Sequence, residues 1–178
     1  MGFKYKIALM QDSAINIIKI LLKDISKFYN KEQLCSFTKY EMETIRRQLL
    51  ILKKAGIVEV NNDLYGVTDK FREEYNIWKY KEYIASKEDK DKFNKLNEKY
   101  WIIRPIVEAL INSKEMFDLS FILYDDLQLA IGSTERTIIK YIKILEENGF
   151  LEVIKRGRFK TYILEESLIK IWEGIKLW

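Results

Sequence analysis

The stretch TIIKYIKILEENGFLEV, residues 137–153, reads as a helix that stops at a glycine and runs straight into a strand. Ile138, Ile142 and Leu145 recur at i, i+4 and i+7, the stripe of an amphipathic helix, with Tyr141 beside them. Gly149 suits the left-handed position just past a helix end, where a Cβ is costly. Upstream, residues 44–60 read TIRRQLLILKKAGIVEV. Aligned without a gap at an offset of 93 residues, the two segments share Thr, Ile, Ile, Leu, Gly, Glu and Val at the same places. A helix–glycine–strand unit written twice predicts two similar small domains.

Working outward from the second copy, FLEVI (150–154) alternates as a strand, KRGR (155–158) makes a tight turn and FKTYIL (159–164) returns. Ahead of it, residues 100–113 are periodic and helical, with the sole proline, Pro105, near their first turn. LSFILYDDLQLAIG (119–132) supplies a second helix ending at Gly132, and Ser133 or Thr134 caps the next one. The first copy repeats the order. Residues 13–29 predict a helix, 31–37 a short second one and 40–55 a third stopping at Gly56. Strand, Asn62-Asp63 turn and strand follow.

Asp69 is placed to cap a helix over 69–85, on which Phe71, Tyr75 and Trp78 share one face. The charged segment ASKEDKDKFNKLNEK (85–99) lacks Gly and Pro and therefore reads as helix. Together these predict a long helical spine. The expected fold is mainly α with small β-hairpins (α+β): a first domain over 1–84, a charged helical connector over 85–99 and a second domain over 100–178.

Hydrophobic content of 48% beside 33% charged residues suits a packed globular core. No apolar run approaches the ~18 residues of a membrane span, and the N-terminus lacks a signal peptide's apolar centre. The single cysteine, Cys35, excludes an intramolecular disulfide framework, so a reducing cytoplasmic home is expected. The chain has no histidine, which removes His-based triads, imidazole bases and His-containing zinc sites. GSTERT (132–137) is not a phosphate loop. Neither enzyme activity nor a cofactor is expected, and no small-molecule effector site is evident.

The segment AIGSTERTIIKYIKILEENGFLEVIKRGRFKTYIL (130–164) resembles the winged helix-turn-helix superfamily of bacterial and archaeal transcription regulators. It has a small residue and Gly in the turn, Ser/Thr-x-Arg-Thr-Ile opening the third helix, and Leu-x-x-x-Gly-Phe-Leu entering the wing. In the first domain, ILKKAGIVEV followed by LYGVTDKF resembles the ArsR/MarR/PadR-type ending, without that pattern's Gly after Val67-Thr68. The resemblance implies two tandem copies whose third helices lie against DNA. In the second copy Thr134, Arg136, Thr137, Lys140 and Tyr141 would face the major groove. In the first the equivalents are Glu41, Glu43, Thr44, Arg47 and Gln48, with Lys39 and Tyr40 just ahead. Carboxylates repel phosphates, so the first helix is the weaker reader.

Chemistry independent of the resemblance points the same way for the second domain. Arg136, Thr137 and Lys140 lie away from the Ile138–Ile142–Leu145 stripe. Arg can pair bidentately with guanine, and Lys or Thr can hold phosphate. Lys155, Arg156, Arg158 and Lys160 fall within six residues with no acid between them, a tip suited to phosphates or a minor groove. Residues 1–86 carry 15 basic and 11 acidic side chains, and residues 100–178 carry 11 and 12. The better reader is thus not basic overall, which favours local contacts over blanket coating of DNA.

The expectation is a double-stranded DNA-binding transcription regulator, cytoplasmic and nucleoid-associated. The alternatives are a tandem winged-helix protein–protein adaptor and a plasmid or viral replication or partition factor. At the C-terminus Leu168, Ile171, Trp172 and Ile175 form a stripe that either packs on its own domain or offers a homodimer face through terminal helices.

Overall fold

The computed structural model describes residues 3–80, 83–117, 119–156 and 159–175, with backbone alone for residues 115, 116, 156 and 159. The fold is mainly helical with small antiparallel sheets, the expected α+β class. The chain divides into two compact units, Met1–Lys81 and Glu82–Trp178.

In the first unit, α1 (Phe3–Ala8), α2 (Asp12–Lys23), α3 (Lys31–Thr38) and α4 (Met42–Lys54) precede the hairpin β1 (Val58–Asn61) and β2 (Leu64–Val67), and α5 (Asp69–Lys79) follows. Ile17, Ile18 and Leu21 of α2 are buried, as are Leu34 of α3 and Ile45, Leu49 and Leu52 of α4. A reciprocal capping box starts α3: Asn30 Oδ1 accepts from the Gln33 amide at 2.8 Å, and Gln33 Oε1 accepts from the Asn30 amide at 2.9 Å. At the hairpin tip Asn62 and Asp63 both take positive φ, 49° and 61°, as a two-residue turn of this kind requires. The helix predicted to 29 ends at Lys23, and Tyr29 instead bridges Tyr65 through two backbone hydrogen bonds. Thr68, not Asp69, caps α5, its hydroxyl accepting from the Phe71 amide at 3.2 Å. The α5 stripe is covered by α1, a helix the sequence reading did not foresee. The Phe3 ring lies 5.3 Å from Phe71 and 6.0 Å from Trp78, and Lys6 pairs with Glu74 at 3.0 Å.

The expected spine is two helices. α5 stops at Lys79, and Ser86 opens α6 (Lys87–Lys99) afresh, its hydroxyl accepting from the Asp89 amide at 3.0 Å. The charged segment is not free of the second unit's packing. Phe93 is fully buried with its ring edge-on to Phe150 at 5.6 Å, and Lys92 donates to the Asn148 carbonyl at 2.7 Å.

α7 (Ile103–Asn112) comes next, with Pro105 at its third position, where a missing N–H breaks no helical bond. Two short strands then appear that the sequence reading did not foresee, β3 (Lys114–Met116) and β4 (Leu119–Ser120). α8 (Tyr124–Ile131) and α9 (Glu135–Glu147) lead into β5 (Leu151–Arg156) and β6 (Phe159–Leu164), and α10 (Glu166–Ile175) follows. The sheet order is β3-β4-β6-β5, so β4 flanks the hairpin on one side. Lys155 and Arg156, expected in the turn, belong to the ladder, opposite Lys160 and Phe159. The rest of that turn, Gly157 and Arg158, lies outside the described residues.

The repeated glycines close their helices identically. Gly56 (φ 70°) and Gly149 (φ 75°) each occupy the left-handed position. Gly56 N–H donates to the Lys53 carbonyl and Ile57 N–H to the Leu52 carbonyl, both at 3.0 Å. Gly149 and Phe150 make the same bonds to Glu146 and Leu145 at 2.9 and 3.0 Å. Nothing lies within 4 Å of a Cβ built on Gly149, so a substitution there meets backbone strain alone. Gly149→Ala is expected to cost about 1–2 kcal/mol in chemical denaturation.

The C-terminal stripe is core. Leu168, Ile171 and Trp172 are buried in the second unit's apolar cluster, and Ile7 and Ala8 of α1 are buried as well. The terminal helices therefore do not offer these faces for a homodimer. Trp178 lies outside the described residues. Among the described residues no helix is long and apolar enough to cross a membrane.

Candidate nucleic-acid interface

The second unit presents α9 by a tight turn. Gly132 ends α8 in the left-handed conformation (φ 68°), and Thr134 caps α9, its hydroxyl 3.4 Å from the Thr137 amide and 2.9 Å from the Thr137 hydroxyl. Ile138, Ile142 and Leu145 are buried on the inner side. That fixes the rotation of the helix, leaving Thr134, Arg136 and Lys140 exposed and Thr137 half-exposed. Among the described residues neither Arg136 nor Lys140 has an ion-pair partner, so both cations are available to an anion. Lys143, by contrast, is 3.5 Å from Glu147. Tyr141 is half-buried, its ring 5.4 Å from that of Tyr100 and 5.3 Å from the Lys140 ammonium. It is committed more to the unit's own packing than to the outer face.

On the hairpin, Lys155 is exposed and faces Lys160 across the ladder. Like charges directly opposite repel, and Lys160 turns away. Its Nζ donates to the Tyr124 hydroxyl at 2.7 Å and sits 4.3 Å from the centre of that ring. Lys160 thereby joins the turn end of the hairpin to the start of α8, a tie the sequence reading missed because the partners are 36 residues apart. The Tyr124 ring stands edge-on to the buried Tyr162 at 6.4 Å. Burial, and after it the neighbouring Tyr124, pushes the Tyr162 phenol well above its ordinary pKa, so it stays neutral. Arg156 has its backbone at the end of β5, and Arg158 lies outside the described residues.

The first unit is built differently at the matching places. Gln48, expected to face outward, is fully buried, and its Nε2 donates to Gln11 Oε1 at 2.7 Å. Its spacing from Ile45 and Leu52, i+3 and i−4, puts it on the core stripe. Tyr40 is half-buried, and its hydroxyl accepts from Asn16 Nδ2 at 2.7 Å. Lys39, in the left-handed conformation at the end of α3, and Arg47 are exposed, and Thr44 is half-exposed. Glu41 and Glu43 are exposed beside them. The hairpin VEVNNDLYGV (58–67) carries two acids and no cation. Among the described residues no group of acids and cysteine could hold a metal ion.

No family model and no curated protein matches the chain. Solved structures overlap it at low scores. TubR from Bacillus thuringiensis serovar israelensis pBtoxis, solved bound to 24 bp of tubC, has 15% identity and a TM-score of 0.41, over 54% of this chain and 98% of that one. The DIP2311 protein of Corynebacterium diphtheriae has 14% identity and a TM-score of 0.32, over 86% of this chain but only 26% of its own. The mRNA-binding domain of elongation factor SelB from E. coli, in complex with SECIS RNA, has 12% identity and a TM-score of 0.28, over 88% of this chain and all of that domain.

Proposed function

We propose that the chain is a tandem winged-helix protein that binds double-stranded DNA and acts as a transcription regulator in the cytoplasm, not as an enzyme. The second unit does the reading. The observation that carries this is the outer face of α9, where Arg136 and Lys140 stand exposed and, among the described residues, without carboxylate partners. A helix entering a major groove uses its N-terminal residues on base edges, and Thr134, Arg136 and Thr137 occupy that end. The β5–β6 hairpin follows as a wing, whose sequence supplies Lys155, Arg156 and Arg158 as charge for phosphate or a minor groove. Lys160 serves as a strut to Tyr124 rather than as a DNA contact.

A second reading applies to the first unit. Its buried Gln48, exposed Glu41 and Glu43 and cation-free hairpin favour a protein-binding adaptor over a base reader. Replacing Arg156 and Arg158 together with alanine tests the wing. The expected result is weaker binding to every duplex, with the log–log salt slope smaller by about 1.8 and an unchanged circular dichroism spectrum. Affinity and slope equal to those of the parent protein contradict the wing's assignment.

A further inference from the structure

We propose that the outer face of α4 docks onto α8 of a second copy of the chain, an association that needs no DNA. With Ile45, Leu49 and Leu52 turned inward, Leu50 and Ile51 remain outside, 55% and 41% exposed. Two adjacent aliphatic side chains on a helix surface form a patch that asks for cover. Arg46 and Arg47 stand exposed one turn before it, and Lys53 and Lys54 one turn after. Among the described residues Arg46 has a loose ion pair with Glu43 at 3.8 Å, and Arg47, Lys53 and Lys54 have none. This surface belongs to the first unit alone. At the 93-residue offset Leu50 corresponds to Lys143, and Lys53 and Lys54 correspond to Glu146 and Glu147.

The complementary surface is on α8. Leu129 is 84% exposed there. Asp125 and Asp126, both exposed, precede it by four and three residues and so share its face. The helix, YDDLQLAI, carries no cation. Laid antiparallel on α4, Leu129 meets Leu50 and Ile51 while Asp125 and Asp126 come beside Lys53 and Lys54. Apolar side chains then cover one another beside a cluster of opposite charges at one end, which also fixes the register. The two patches differ, so the contact is heterologous and can repeat from copy to copy. One helix crossing buries less than the roughly 1,200–2,000 Å² of a stable interface, so the association is weak and concentration-dependent.

Sedimentation velocity of the full chain, without DNA and over rising protein concentration, tests this. The average mass is expected to climb above the monomer value, and to stay at the monomer value in Leu129→Lys and in Lys53→Glu/Lys54→Glu. Adding Asp125→Lys/Asp126→Lys to the latter should restore the climb. All these positions are exposed, and circular dichroism checks that each variant folds. A monomer at every concentration overturns the proposal. So does an association that ignores Leu129→Lys, or one that the reciprocal charge reversal fails to restore. DNA is absent throughout, so the outcome is independent of whether α9 reads a groove.

Discussion

Phe93→Ala is expected to destabilise the second unit by about 3–5 kcal/mol, the range for removing a fully buried aromatic ring. The ring has no exposure and packs edge-on against Phe150, the residue that follows the α9 glycine. Its loss leaves a cavity between α6 and the entry to β5, at the point where the hairpin leaves the helix. Lys92 anchors the same turn through the Asn148 carbonyl, so the damage is expected to reach α9 as well. Hydrogen exchange should show protection falling through α6, α9 and β5 while α2 and α4 of the first unit keep theirs. A loss below about 0.5 kcal/mol, the scale of a surface substitution, would mean that α6 is a solvated connector after all.

Arg136→Ala carries the largest expected effect on binding. An arginine paired bidentately with guanine is worth about 1–3 kcal/mol of discrimination, which corresponds to roughly 5- to 150-fold in affinity. The exposed guanidinium, with no carboxylate partner among the described residues, is poised for such a contact. Selection from a pool of random duplexes should give a motif with the parent protein and lose the preference at one position with the variant. Lys160→Met is the informative contrast. Its ammonium is held by Tyr124, so the salt slope should stay unchanged even where stability falls. A slope smaller by about 0.9 in Lys160→Met would instead make it a phosphate contact.

What could be read from the residues follows from length and periodicity. α9 was legible because its stripe runs over two turns and Gly149 marks its end. The same signals gave α4 and Gly56. Gln48 was misdirected although Ile45, Leu49 and Leu52 around it define the buried face. Alignment with Tyr141 points it outward, against that spacing, and Tyr141 itself turns partly inward. α1, β3 and β4 are six, three and two residues long, too short for a period to show. They exist because the Phe71–Trp78 stripe and the edge of β6 need cover, which is tertiary information. The break between α5 and α6 is hidden by the absence of Gly and Pro between Lys79 and Lys87, yet Ser86 followed by Glu88 and Asp89 is a helix start that local chemistry supplies. The exposed cations of α9 could be placed from sequence alone, whereas the Lys160–Tyr124 tie could not.

On the reading proposed above, the second unit grips duplex DNA through a small set of cations. Fluorescence anisotropy of a labelled random-sequence duplex, titrated with the full chain at several salt concentrations, tests it most directly. Each phosphate contact adds about 0.9 to the magnitude of the log–log slope. Binding at low salt with a slope of at least about 2.7 in magnitude, the equivalent of three contacts, is the expected result. No binding at the lowest salt concentration would contradict it and leave protein docking as the role of both units.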